Sequence, residues 1–153
     1  MKVGENLKIN LKIKKLRENA IIPTRATSGS AGLDLSACIT EKVDIHPGEI
    51  LKIPTGIAIQ IFDNNYAAMI FARSGLGIKH GISLANGVGV IDSDYRGEIC
   101  VGLINLSSET FTIEPNQRIA QMILMPVSTC NVIEVEEIDE TNRGTNGFGS
   151  TGN

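Results

Sequence analysis

Ile50-Leu51-Lys52-Ile53-Pro54-Thr55-Gly56-Ile57-Ala58-Ile59-Gln60-Ile61 holds two short apolar runs split by a Pro-Thr-Gly turn. Each run is too short for a helix. Isoleucine is stiff at χ1 and packs well on a pleated surface, so both runs read as strands. Upstream, His46-Pro47-Gly48 is a second turn signal. Before it, Leu33, Leu35, Ala37 and Ile39 alternate with Asp34, Ser36 and Cys38, and Leu7, Ile9, Leu11 and Ile13 alternate with Lys8, Lys12 and Lys14. Both stretches read as half-buried strands. Downstream, residues 66–72 form a continuous apolar run, expected to be a strand buried on both faces. Further strands are expected at residues 87–91, 97–104, 109–113, 118–127 and 131–138. Residues 74–80 alone have helical character.

About ten short strands with turn residues between them predict an all-β fold, closed as a sandwich or barrel. The chain shows no internal repeat and no linker before residue 140. Residues 1–140 are therefore expected to form the β domain. Residues 141–153 lose all periodicity and are expected to form a mobile glycine-rich arm.

At 153 residues the chain is one domain by length, able to bury a core without staples. Aromatics are few, with four Phe, two Tyr and no Trp, while Gly reaches 16. This mixture favours strands and tight turns over long helices. A net charge of −3 argues against a protein that coats nucleic acid, although a few placed arginines are enough for a small anion. Lys and Arg crowd the first 25 residues and acids crowd residues 134–140; neither run indicates a function. Cys38, Cys100 and Cys130 are odd in number and widely spaced, and His46 and His80 lack ligand spacing. Reduced thiols in a cytoplasmic protein without zinc are expected. No apolar run approaches membrane-spanning length and no signal pattern opens the chain, so no membrane role is expected.

Five stretches carry polar groups where a plain scaffold would not need them. In Ala31-Gly32-Leu33-Asp34-Leu35, Asp34 is either an outward strand residue or an acid near a metal–phosphate complex. In Ala72-Arg73-Ser74-Gly75-Leu76-Gly77 an apolar strand runs directly into the helix. Helix N-termini offer N–H groups to anions, and Ser74 is also a natural cap. Asn86-Gly87-Val88-Gly89-Val90-Ile91 leads into Asp92-Ser93-Asp94-Tyr95-Arg96-Gly97-Glu98. Gly89 permits close approach to the strand backbone, while Asp92, Ser93 and Asp94 also suit an ordinary turn. Gln121, inside Arg118-Ile119-Ala120-Gln121-Met122-Ile123, is either a core hydrogen-bond link or a ligand contact. The fifth stretch is Arg143-Gly144-Thr145-Asn146-Gly147-Phe148-Gly149-Ser150-Thr151-Gly152. It joins an arginine and hydroxyls suited to phosphate with an aromatic able to cover a base.

In this order the five stretches resemble the motifs of the trimeric dUTP pyrophosphatases, the dUTPases, over roughly residues 24–152. Ala72 stands where proline is common in that family, and Asn116-Gln117 where Gly-Asp commonly precedes Arg-Ile-Ala-Gln. The resemblance implies a jelly-roll β-barrel, a homotrimer and active sites shared among three copies. It implies Mg²⁺-dependent hydrolysis of dUTP to dUMP and pyrophosphate, keeping uracil out of DNA and supplying dUMP. Spacing does not decide between Asp92 and Asp94 as the base; the motif match selects Asp92. The resemblance further implies that Asn86 and Gly89 read uracil and that Tyr95 packs under deoxyribose. Arg73, Ser74, Gly75, Gln121, Arg143, Gly149, Ser150 and Thr151 would bind the phosphates. Phe148 would stack on the base, and Asp34 would meet the metal through water.

Two other readings compete. A dCTP deaminase of the same broad fold needs a glutamate beside the pyrimidine, for which Glu98 is the nearby candidate. A non-catalytic trimeric nucleotide-binding module would bind without turnover.

Overall fold

A computed structural model describes residues 9–145. These residues form eleven strands and one short helix, in the order β1 (Leu11–Lys15), β2 (Leu33–Ser36), β3 (Val43–Ile45), β4 (Ile50–Pro54), β5 (Ile57–Ile61), β6 (Tyr66–Ala72), α1 (Ser74–His80), β7 (Ile82–Leu84), β8 (Gly89–Ile91), β9 (Cys100–Asn105), β10 (Phe111–Ile113) and β11 (Arg118–Pro126). The sheets run β2-β11-β6-β8, β4-β9-β7, β1-β5 and β10-β3, with antiparallel pairing throughout. This is the all-β jelly-roll expected. Its interior is filled by branched aliphatics, among them Leu35, Ile45, Ile57, Leu103, Ile119 and Met122, all fully buried. β6 lies between β11 and β8, and none of its residues is exposed, as its continuous apolar run requires.

The Pro54-Thr55-Gly56 turn is built into the core. Thr55 is buried and its hydroxyl donates to the Ile99 carbonyl at 2.6 Å. Gly56 has φ +71, and a Cβ there would stand 2.6 Å from Cys38 Sγ and 2.7 Å from Ala20 Cβ. Glycine is thus required both by backbone conformation and by space.

Several sequence-based expectations are corrected. β3 and β7 were not expected. Each has three residues, too few to display a period, and each exists through its partner, β10 or β9. The strand expected at 131–138 does not form: the segment is irregular, and Val132, Ile133 and Ile138 are 92%, 78% and 86% exposed. Alternation alone makes no strand without an edge to pair with. β2 is also shorter than expected, because Ala37 and Cys38 leave the ladder and donate to the Gln117 and Pro54 carbonyls. Among the described residues no helix is long and apolar enough to cross a membrane.

Candidate active site

β2, β6, β11 and α1 meet at one end of the four-stranded sheet. Gly32, Asp34, Arg73, Ser74, Gly75 and Gln121 line a cavity of about 200 Å³ there. Gln121 is the register partner of both Asp34 and Phe71. Its Nε2 donates to the Ala72 carbonyl at 3.1 Å. Its Oε1 lies where a Cβ on Gly32 would come within 2.8 Å. Gln121 therefore ties two strands together and faces the cavity at once. Ser74 does not cap the helix. Arg73 is the cap residue, with extended φ/ψ and no side-chain cap bond, and Ser74 is already helical. Its place along the cavity wall replaces the capping role.

Asp34 is no idle outward residue. Its carboxylate accepts from Arg73 Nε at 3.1 Å and from Arg118 Nη1 at 2.9 Å, with the Asp34 side chain only 17% exposed. Sequence reading overlooked Arg118, and also Ser30, which lines the same cavity. Ser30 belongs to a tight Thr27–Ser30 turn: its hydroxyl accepts from the Thr27 N–H at 3.1 Å.

The third motif forms a different pair of cavities. Asp92 and Tyr95 line one of about 300 Å³, together with Lys52, Ile91, Glu98 and Cys100. Asp94 is absent from that lining. Asn86 and Gly89 line an adjoining space of about 100 Å³, which shares Val90, Ile91 and Cys100 with the first. Gly89 packs closely on β6: a Cβ there would stand 3.1 Å from Ile70 Cβ, so that the Ile70 side chain would have to give way slightly. Tyr95 folds back over the turn, its hydroxyl donating to the Glu98 carbonyl at 3.1 Å. Lys52 reaches this cavity from β4 and was not predicted; an alternating lysine on a strand carries no signal of such a place.

The Cys100 thiol is pushed above its ordinary value, first by burial and then by the nearby Glu98 charge, against the opposing pull of Lys52 and Arg17. Glu98 is committed to the scaffold. One carboxylate oxygen accepts from the Gly56 N–H at 2.9 Å and the other from Arg17 Nη2 at 3.3 Å. This glutamate is a strut between distant segments, and it also lines the Asp92 cavity.

The cavity of Arg73 and the cavities of Asp92 and Asn86 share no lining residue. Arg143 is exposed and lies in a turn whose Gly144 N–H donates to the Thr141 carbonyl at 2.9 Å. Phe148, Gly149, Ser150 and Thr151 lie outside the described residues.

The dUTPase family model matches residues 18–152. The chain is 51% identical over 147 residues to the deoxyuridine 5'-triphosphate nucleotidohydrolase of Neisseria meningitidis serogroup A, covering 96% of this chain and 98% of that protein. This chain belongs to the dUTPase family. A variant of the Staphylococcus bacteriophage 80alpha dUTPase, solved with dUpNHpp, superposes with a TM-score of 0.83 at 27% identity, covering 94% of this chain and 98% of that one. A dUTPase variant from phage phi11 of S. aureus, solved for its coordination of a structural Mg(II) ion, has a TM-score of 0.76 at 24% identity, covering 86% and 99%.

Of the two departures from the usual dUTPase motifs, the Asn116-Gln117 pair has a local explanation and nothing in the structure explains Ala72. Asn116 adopts φ +64, the left-handed conformation that glycine takes freely and asparagine tolerates. Gln117 Oε1 accepts from the Glu114 N–H at 2.8 Å, closing the turn through its own side chain. Ala72 still offers its carbonyl to Gln121.

The residues present fit Mg²⁺ in one manner. Among the described residues no group of three His, Cys, Asp or Glu side chains is placed to hold a metal, and both Asp34 oxygens already accept from guanidinium groups. A bare ion caged by protein does not fit. An ion coordinated by phosphate oxygens and water does, since Mg²⁺ keeps several waters and each Asp34 oxygen retains a lone pair for one of them.

Proposed function

We infer that this chain hydrolyses dUTP to dUMP and pyrophosphate as a homotrimer, with each active site assembled from three copies. Membership of the dUTPase family carries the reaction. The separation of the Arg73 cavity from the Asp92 cavity within one protomer supports the sharing. Two half-sites that do not meet in one chain make one site when the cradle of one copy faces the hairpin of the next. The exposed Val132, Ile133 and Ile138 supply apolar surface for such an assembly.

In this reading Asp92 orients a water and takes its proton as the oxygen attacks the α-phosphorus. The bond to the bridging oxygen breaks, and pyrophosphate leaves. Asp92 also meets the deoxyribose 3′-hydroxyl. Its place in a cavity wall with Tyr95, where Asp94 is missing, favours it as the base. The Asn86 amide and the backbone at Gly89 read uracil. Cytosine reverses the donor–acceptor pattern and would leave buried polar groups unpaired, a strong basis for discrimination. The close wall around that space rejects the thymine methyl. Tyr95 packs under the sugar and excludes a 2′-hydroxyl.

Arg73, Ser74, Gly75 and Gln121 take the phosphates from one copy, and Arg143, Gly149, Ser150 and Thr151 from another. Phe148 covers the base as residues 141–153 close over the β domain and shed water. When bound, Mg²⁺ would supply neutralising charge to the phosphates, and Asp34 would hold it through water. The three unpaired cysteines favour a cytoplasmic location. The negative net charge favours a small-molecule substrate over nucleic acid. The product role is to keep uracil out of DNA and to supply dUMP.

Pyrophosphate release from dUTP, dCTP, dATP, dGTP, TTP and UTP with magnesium, alongside sedimentation, tests this. Release from dUTP by a trimer is expected. Ammonia from dCTP would indicate a deaminase, and binding of dUTP without turnover a regulatory module. An active monomer would end the shared-site proposal.

A further inference from the structure

Arg118 opens β11 and lines none of the three cavities described, yet it is bound to the residue that grips Arg73. Asp34 divides its carboxylate, giving Oδ1 to Arg73 Nε and Oδ2 to Arg118 Nη1. Arg73 Nη1 donates in turn to the Arg118 carbonyl at 3.2 Å. Arg73 is thus held at two of its three nitrogens, and Arg118 supports both holds. Nη2 is the nitrogen that these contacts do not take up.

A β-bulge makes this possible. Arg118 pairs with Ser36 and Ala120 with Leu35, so Ile119 is the extra residue. Plain alternation would send Arg118 and Gln121 to opposite faces; one inserted residue brings both to Asp34. The consecutive buried pair Ile119 and Ala120 is the mark of that insertion. The charges matter as much as the geometry. A carboxylate facing a single guanidinium forms a two-bond fork with it, the same fork a phosphate would use. Shared between two arginines, Asp34 leaves the cluster with one surplus positive charge beside the cavity.

We propose that Arg118 is a positioning residue for triphosphate binding: by holding one oxygen of Asp34, it keeps Asp34 from chelating and neutralising Arg73. The proposal rests on reading the 200 Å³ cavity as the phosphate cradle.

The test uses the full chain with Arg118→Met, Arg118→Lys, Asp34→Asn and the Arg118→Met/Asp34→Asn double variant. Steady-state dUTP hydrolysis, calorimetric binding of inorganic triphosphate and thermal melting are read for each. Arg118→Met is expected to raise KM for dUTP by ~10-fold and to weaken triphosphate binding similarly, with kcat within about twofold, the pattern of lost ground-state binding. Arg118→Lys should restore most of the loss, because one ammonium donor is enough for one carboxylate oxygen. In the Asp34→Asn background, Arg118→Met should change KM by less than about twofold, since the interaction it serves is already gone. Unchanged KM in a folded Arg118→Met variant would overturn the proposal. So would a full multiplicative effect in the Asp34→Asn background, which would place Arg118 on the ligand itself. A wild-type chain that leaves dUTP intact, but whose triphosphate binding is weakened by Arg118→Met only when Asp34 is present, would refute the function and keep the clamp.

Discussion

The phenol of Tyr95 rests against Gly97: a Cβ built on Gly97 would stand 2.3 Å from the Tyr95 hydroxyl oxygen and 2.5 Å from its ring carbon Cζ. The ring keeps this place because residue 97 has no side chain, and because the hydroxyl is tied to the Glu98 carbonyl. Gly97→Ala should therefore push the ring aside, and Tyr95→Ala should remove it. Both are expected to raise kcat/KM for UTP relative to dUTP. Competition assays with the two nucleotides read the ratio, and an unchanged ratio in both variants would count against a sugar-platform role.

Asp92→Asn should leave melting temperature and dUTP binding near wild type while slowing turnover by ~10²-fold or more, as expected for loss of a general base. Asp94→Asn is the control and should retain most activity. Rapid-quench measurement of pyrophosphate separates chemistry from product release. Near-normal chemistry in the Asp92 variant would refute its assignment.

Ending the chain at Asn142 should preserve the proposed trimer and the melting temperature while removing most activity. The deleted residues would then serve closure over the site rather than the core. Sedimentation and turnover are read together, and a truncated chain that unfolds would reassign those residues to stability.

Asn116 occupies a left-handed conformation that costs a β-branched residue about 1–2 kcal/mol. Asn116→Gly is expected to be neutral or slightly stabilising, and Asn116→Val destabilising by about that amount. In a domain of this size the second change lowers Tm by roughly 2–8 °C. Equal melting of the two variants would show that the turn relaxes instead.

Burial and the Glu98 charge hold the Cys100 proton more tightly in the fold than in the unfolded chain. The folded pKa is the higher one. The contribution to stability is therefore complete below the ordinary thiol value and lost as pH rises through the folded value. Residue-resolved iodoacetamide labelling should show Cys100 reacting more slowly than the exposed Cys130 near neutral pH, with a midpoint shifted to alkaline pH. Equal rates for the two thiols would contradict this environment.

The strands legible in advance are those whose own side chains display a period or an unbroken apolar run. Ile50–Pro54, Ile57–Ile61, Tyr66–Ala72 and Arg118–Pro126 stand close to the expected bounds. Val43–Ile45 and Ile82–Leu84 escaped notice because three residues carry no periodicity, and residues 131–138 misled because alternation marks a face and not a partner, and the segment pairs with no strand among the described residues. The motif residues were legible as residue types. That Glu98 braces Gly56, 42 positions away, was not.

Backbone sterics and side-chain alternation act between near neighbours, so residue order alone was enough to establish a closed all-β fold, its turns and its chemistry-bearing stretches, while the choice of barrel over sandwich came with the family resemblance. The Arg73–Asp34–Arg118 cluster, the occupation of Glu98 and the division of the site between separate cavities depend on register, on one bulged residue and on contacts between distant segments. Those appear once strands are paired, because a shift of one residue in pairing sends a side chain to the opposite face.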